Sequence, residues 1–264
     1  MTSYADILVD DGCYTTTDYP YSGDISDEPD IEVDTWKEPM KSKGNIFGLG
    51  EGWSIDGIPV VYIEGNVNYI QLGSQGTYKV KSDGYLDRRD SKDLKFITNT
   101  GYTYSGVTSK YALTNVNGTV WYFNSSGRPI ACKDKYGQYI RILYNSAGKI
   151  DKIIDTVGRV IAFTHSNNLV TVNVYESESS AISLQTFTYE LSPFSVYGKN
   201  KLTKVNMPEG QSVQYTYQEN TIAYEFEDYN ESINIGYFTL NTVFNPTGGT
   251  TNFVYTVNDK NEIK

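Results

Sequence analysis

"DKYGQYIRILYNSAGKIDKIIDTVGRVIAF" spans Asp134–Phe163 and writes one punctuation three times: Asp-x-x-Gly, Asn-x-x-Gly and Asp-x-x-Gly. Asp or Asn at the first position can accept a hydrogen bond from the backbone two residues on. Gly at the fourth position takes positive φ without a Cβ penalty, so a type I turn can close a hairpin through a bulge. Only six or seven residues, many of them β-formers, separate the turns, about one strand of mean length. The stretch reads as a generator of β-hairpins.

The pattern is a repeat. Phe123–Leu143 lies over Tyr144–Thr164 without a gap, a period of 21 residues. Asn124 then falls on Asn145, Gly127 on Gly148, Asp134 on Asp155, Gly137 on Gly158 and Ile140 on Ile161. One further step carries Phe123 and Tyr144 onto His165. Self-similarity at a fixed period marks a repeat architecture and outranks any single motif. The expected fold is all-β, made of stacked antiparallel β-hairpins with little or no helix, since no apolar stripe at helical spacing is sustained over three turns. Asn124, Gly127, Asp134, Gly137, Asn145, Gly148, Asp155 and Gly158 are the expected turn residues, with positive φ at the glycines. Ile140, Ile161 and Phe163 should be buried. Turn-then-strand logic returns at Asn206–Tyr217 and Asn245–Tyr255, and "YESESSAISLQTF" and "YELSPFSVYGKN" read as longer hairpin arms.

Working outward, the chain of 264 residues has room for one large domain or two modest ones. Its 24 Tyr and 23 Gly suit many short strands and turns. The net charge of −10 is uneven: residues 1–36 hold ten carboxylates and no Lys or Arg, and the remaining acids and bases balance. Neither part carries the basic footprint of a nucleic-acid binder. Cys13 and Cys132 have no metal spacing, and a disulfide framework is not expected. No stretch is apolar and long enough for a membrane-spanning helix, and the opening residues lack a signal-peptide pattern.

Three regions follow. Residues 1–44 form an acidic arm, read as a solvated linker; the ligand spacing of an EF-hand calcium loop is absent from it. Residues 45–110 are entry strands, expected at Ile58–Ile63, Tyr69–Leu72 and Thr77–Lys81, followed by a polar strand-turn-strand connector at 83–110. Residues 111–264 carry the repeated hairpins. In "NIFGLGEGWSI" (Asn45–Ile55) the glycines Gly48, Gly50 and Gly52 precede Trp53. A phosphate-cradling loop needs a strand before it and a helix after it. A β-branched run follows instead, so the glycines are expected to let the backbone turn sharply under a packed Trp. Trp53 is expected at the start of the sheet.

These residues resemble the rearrangement-hotspot (Rhs), or YD-repeat, family, whose signature is an aromatic-Asp pair followed by x-x-Gly-Arg. "YFNSSGRP" (Tyr122–Pro129) and "LYNSAGKI" (Leu143–Ile150) match it with Asn in place of Asp, and "DTVGRVIAFTH" (Asp155–His165) matches the companion hairpin. "FGLGEGWSI" (Phe47–Ile55) is similar to the Gly-Trp-Ser segment that opens the repeat region. The likeness covers residues 47–264, is strongest at 111–165, and weakens from Ser166. It implies a β-sheet that spirals into a hollow shell, enclosing a C-terminal effector in bacterial toxins and serving adhesion in animal relatives. The Asp-Pro-x-x-Gly signature of the self-cleaving core is missing, and Asn245-Pro246-Thr247-Gly248 reads as a hairpin turn. The expectation is a non-catalytic shell segment of a secreted toxin or surface protein, a piece of a longer chain. Its partners would be the continuation of the polypeptide or a C-terminal effector.

Candidate chemistry is sparse. His165, the single histidine, stands where the repeat places Tyr, and reads as a packed aromatic substitute beside Trp53, Trp121, Phe123 and Tyr144. It has no second histidine or cysteine pair with which to hold a metal. Ser54 lacks a nucleophile elbow. Asp134 and Asp155 could pose as the carboxylate pair of a glycoside hydrolase, but their equivalence in the repeat makes them turn caps. Tyr-rich hairpin surfaces could stack on sugar rings, which makes a glycan- or protein-binding adhesion module the second reading. No cofactor is expected.

Overall fold

The computed structural model describes residues 45–50, 53, 57–72, 76–98, 100–193, 200–226 and 231–254. The acidic arm, Cys13, Gly52 and Ser54 lie outside them. Strands dominate, and among the described residues the stacked antiparallel hairpins form open sheets with no closed barrel. A 3₁₀ turn at Asn45–Phe47 opens the described chain, and another, Pro208–Gly210, lies between later strands. No helix among the described residues is long and apolar enough to cross a membrane.

A small sheet comes first, with β1 (Val60–Glu64), β2 (Val67–Gln71) and β3 (Thr77–Lys79) in that order. β4 (Leu94–Thr98) begins the large sheet, and β5 (Thr103–Tyr104) with β6 (Val107–Thr108) forms a separate clip. The large sheet continues through β7 (Tyr111–Asn115), β8 (Val120–Phe123), β9 (Pro129–Lys133), β10 (Tyr139–Tyr144), β11 (Ile150–Ile154) and β12 (Val160–His165). It ends with β13 (Leu169–Tyr175), β14 (Gln185–Pro193), β15 (Asn200–Asn206), β16 (Ser212–Phe226), β17 (Glu231–Phe244) and β18 (Thr250–Asn252). β4 pairs with β7, and every later strand pairs with its predecessor, giving 13 strands in sequence order. Residues 83–110, expected as a polar strand-turn-strand connector, hold β4, which joins the main sheet, and the β5–β6 pair.

The turns are as the spacing requires. Gly127, Gly137, Gly148 and Gly158 have φ of 77°, 86°, 73° and 89°. Asn124 Oδ1 accepts from the N–H groups of Ser126 and Arg128, both at 3.0 Å. Asp134 Oδ1 accepts from those of Tyr136 (2.9 Å) and Gln138 (2.8 Å). The same design recurs at Asn245, whose Oδ1 accepts from Gly249 N–H at 2.8 Å. Where the spelling lapses the turn changes: β12 and β13 are joined by Ser166–Asn168, and the Ser166 N–H bonds to Leu169 O.

Alternation along the strands buries one face. On β13, Val170, Val172 and Val174 are buried while their neighbours are half-buried. Register sets Val174 against Ile161 and Val172 against Phe163, and Ile153 against Ile142. Ile161 and Phe163 are buried as expected, and Ile140 is half-buried against the same core. Arms longer than a repeat do occur, but the longest hairpin is β16–β17, whose register runs from Gln214↔Phe244 to Phe226↔Glu231.

Candidate functional site

The repeat builds one contact three times on the buried face. Tyr144 Oη donates to Pro129 O at 2.6 Å, and Tyr217 Oη donates to Leu202 O at 2.5 Å. His165 Nε2 lies 2.7 Å from Ile150 O; a carbonyl only accepts, so Nε2 carries the hydrogen. Each ring reaches back 15 residues, and a cation precedes each acceptor. Arg128 lies over the Tyr144 ring at 5.8 Å and Lys201 over Tyr217 at 5.9 Å. Lys149 and His165 both lie beside Gly48. The unit is a clip of cation, carbonyl and ring. His165 thus substitutes for Tyr in bonding as well as in position. The third clip, at Lys201, Leu202 and Tyr217, escapes the 21-residue alignment because it stands 52 residues after the second, which is not a multiple of 21.

Bulges aim two of these rings. The ladder shifts between Leu143 and Tyr144 and again between Thr216 and Tyr217, with a matching shift at Tyr122 and Phe123 one period earlier. A bulge bends its strand and re-aims the next side chain, here towards the core. Phe123, with no hydroxyl, is fully buried. Burial pushes the Tyr144 phenol well above its ordinary value, with the Arg128 charge opposing in part. Burial likewise lifts Tyr189, and Tyr215 to about 12.

The glycine-rich entry segment crosses these clips as a strap. Ile46, Phe47, Leu49 and Trp53 join the core of Ile142, Ile150, Phe163 and Phe187. Gly48 (φ 69°) passes so close that a Cβ would meet Lys149 Nζ at 2.9 Å and His165 Nδ1 at 3.0 Å. A Cβ at Gly50 would meet Leu202 N at 2.9 Å. Trp53 Nε1 donates to Tyr217 Oη at 3.0 Å, and its ring meets Tyr215 edge-on at 4.7 Å. Trp53 therefore packs on β16, not at the start of the sheet: the strap needs the full run of strands to cover. Beyond it, Val61 N–H donates to Gly127 O at 2.9 Å, which seats the small sheet on the first clip's turn.

The opposite, outer face carries β5–β6. The Tyr102 ring stacks on Tyr122 at 4.5 Å and on Tyr139 at 5.2 Å. The Arg141 guanidinium sits between the Tyr104 and Tyr139 rings, at 5.1 and 5.6 Å. Trp121 is half-buried on the inner side.

The chemical candidates resolve into structural roles. Asp155 is buried; its Oδ1 accepts from Val157 N–H and Arg159 N–H, and its Oδ2 from Arg159 Nε at 2.8 Å. Such a carboxylate holds a turn and presents no free oxygen pair to a sugar. Burial, and secondarily Asp134, pushes the Cys132 thiol up to about 12, which removes its nucleophilicity at neutral pH. Among the described residues no cluster of three or more His, Cys, Asp or Glu could hold a metal.

No protein-family profile matches the chain, and no curated protein matches it. Among solved structures it is similar to a porin-like protein from Bacteroides uniformis, at 13% identity and a TM-score of 0.31, over 69% of this chain and 96% of that one. At that score the likeness carries no argument about fold or function.

Proposed function

We propose that the chain is a non-catalytic structural segment of a YD-repeat shell, part of a secreted or surface protein that encloses or presents a C-terminal effector. The observation that carries this reading is the strap laid across successive ring clips. Residues 46–53 reach two of the clips, and Val61 bonds to the turn of the first. Such a strap covers the inner face between β11 and β16 and leaves β18 at the end of the sheet order, where hairpins can be added. The resemblance to Rhs proteins supports the same reading, because their shell grows by the same aromatic-Asx-Gly hairpin. The adhesion reading rests on the outer-face tyrosines, and Tyr102, Tyr122 and Tyr139 are stacked on one another instead of standing free for a sugar.

A growing sheet ends in an edge that recruits a further strand. Strand β18 is the last in the sheet order, and Val254 beside it is 88% exposed. The Phe253–Val257 stretch, uncharged and β-prone in sequence, is described only to Val254; the Phe253 N–H bonds to Asn241 O. Sedimentation velocity across a concentration series tests the reading. The expected result is association that rises with concentration and weakens in Thr251→Lys, which places a charge on the edge strand. A strict monomer at every concentration contradicts sheet continuation, and specific binding on a glycan array would favour adhesion.

A further inference from the structure

One rim of the large sheet carries a row of apolar side chains. From β8 onward each strand pairs with its predecessor, so the connections alternate between the two ends of the strands. Residues 115–119, 134–138, 155–159 and 176–184 join β7–β8, β9–β10, β11–β12 and β13–β14 at one rim. Apart from Val254, the five most exposed large apolar side chains among the described residues are Val116, Tyr136, Val157, Ile182 and Leu184, at 61–83%. All five stand in those four connections. At the other rim the turns read Ser-Ser (125–126), Ser-Ala (146–147) and Ser-Asn-Asn (166–168). The hairpins demand Asx and Gly, and solvated turn positions are ordinarily polar. Folding therefore does not account for the row.

Strands about 4.8 Å apart set successive tips about 10 Å apart. The Val157 turn lies midway between the Tyr136 turn and the connection that carries Ile182 and Leu184, and the charge on its two sides is opposite. Lys135 lies 4.9 Å over the Tyr136 ring, while Asp134 beside it accepts from turn N–H groups. On the other side stand the exposed Glu176 and Glu178, with Lys152 reaching Glu178 only at 3.9 Å. The Val157 turn between them is neutral, because Arg159 closes on Asp155 at 2.8 Å. We propose that two copies of the chain meet rim to rim, antiparallel, about a two-fold axis through their Val157 turns. Tyr136 and Lys135 of each copy then face Ile182, Leu184, Glu176 and Glu178 of the other. Apolar tips meet apolar tips, and both charge contacts attract. Parallel rims would set Lys135 on Lys135 and the glutamates on each other, which like charges oppose. The same glutamates oppose an anionic lipid surface. Neighbouring strands rotate by about 20°, so Val116, two hairpins from the axis, splays away and the contact centres on three turns. Such a contact is at the small end of interface sizes, below about 600 Å² per partner, and the dimer is reversible.

The contact does not depend on the sheet continuing beyond β18, and Thr251→Lys, which charges that edge, isolates it. Sedimentation velocity of the Thr251→Lys chain should show a dimer that saturates, because a two-fold contact closes on itself. Adding Tyr136→Ser and Val157→Ser should raise its dissociation constant at least ~10-fold. Both side chains are exposed and neither shapes its turn, so the urea midpoint should not move. Lys135→Glu should weaken the dimer, as should Glu176→Lys with Glu178→Lys. All three changes together should restore it to within about 2-fold, since the charges then attract with their signs exchanged. A Thr251→Lys chain that is monomeric at every concentration overturns the proposal, whether or not the unaltered chain associates through β18. So does a dimer indifferent to the two serines, and so do charge reversals that add without rescue. Binding of the Thr251→Lys monomer to vesicles of phosphatidylcholine and phosphatidylglycerol, lost with the two serines, assigns the row to a lipid surface and also overturns it.

Discussion

Gly127 and Gly137 separate two roles that a hairpin glycine can have. Both adopt left-handed φ, 77° and 86°, so replacement by Ala costs each turn about 1–2 kcal/mol of backbone strain. Their surroundings differ completely. A Cβ on Gly137 meets nothing within 4 Å, whereas one on Gly127 would sit 1.8 Å from Val61 O and 2.7 Å from Val61 C. Both atoms belong to backbone, so the strand itself must move. That breaks the bond from Val61 N–H to Gly127 O, worth about 0.5–1.5 kcal/mol. It also disturbs a cluster in which Val61, Ile70 and Phe123 are fully buried, at the roughly 1–3 kcal/mol typical of overpacking. Gly127→Ala should therefore lose about 1.5–4.5 kcal/mol more than Gly137→Ala. At a urea slope of about 2 kcal/mol per molar, the midpoints should differ by about 0.75–2.25 M. A fall in the slope for Gly127→Ala alone would mean that the small sheet detaches before the large one unfolds. Equal losses, within about 0.5 kcal/mol, would refute the docking of the small sheet on that turn.

Two further expectations concern the ring clips. His165→Tyr should stay within about 0.5 kcal/mol of the natural chain, because a hydroxyl can keep the bond to Ile150 O, while His165→Phe should lose about 1–3 kcal/mol by stranding that carbonyl; thermal unfolding measures both. The phenols of Tyr144, Tyr189 and Tyr215 are all raised by burial, so the folded state holds them protonated while the unfolded chain releases protons near pH 10. Their contribution is complete below about pH 10 and is lost as pH rises beyond it; urea midpoints from pH 8 to 11 should fall, and less steeply in Tyr144→Phe.

The hairpins were legible because their determinants are local. A turn written Asx-x-x-Gly encloses its own hydrogen bonds, so Asn124, Asp134, Asn145 and Asp155 could each be read from five residues. Alternation then followed from the pleat, and the burial of Ile161 and Phe163 with it. The same locality explains the role of His165: equivalence to Tyr144 at one period implied a packed ring, and the structure adds the bond to Ile150 O. The third clip was hidden because it stands 52 residues after the second, outside the 21-residue alignment, although its internal spacing is unchanged. Lys201, Leu202 and Tyr217 stand in the same relative positions as Arg128, Pro129 and Tyr144.

The strap was legible in composition and illegible in destination. Gly48 and Gly50 announced a sharp turn of the backbone, but the neighbours that exclude a Cβ there lie about 100 and 150 residues away in the chain, at Lys149 and Leu202. No periodicity links such positions, because the strap is not a strand of the repeat and shares no register with it. Its logic appears only when the clips are seen side by side. Each presents a ring and a cation at the inner face, and a backbone crossing them must shed its Cβ wherever it meets one. Gly48 does so over His165, and Gly50 over the strand that carries Leu202. Trp53 ends the crossing by donating to Tyr217, the ring of the third clip. The inner face of a sheet of repeated hairpins has to be covered by something that is not a repeat. Here the cover places its glycines where it meets the second and third clips, which ties an otherwise irregular segment to the rings beneath it.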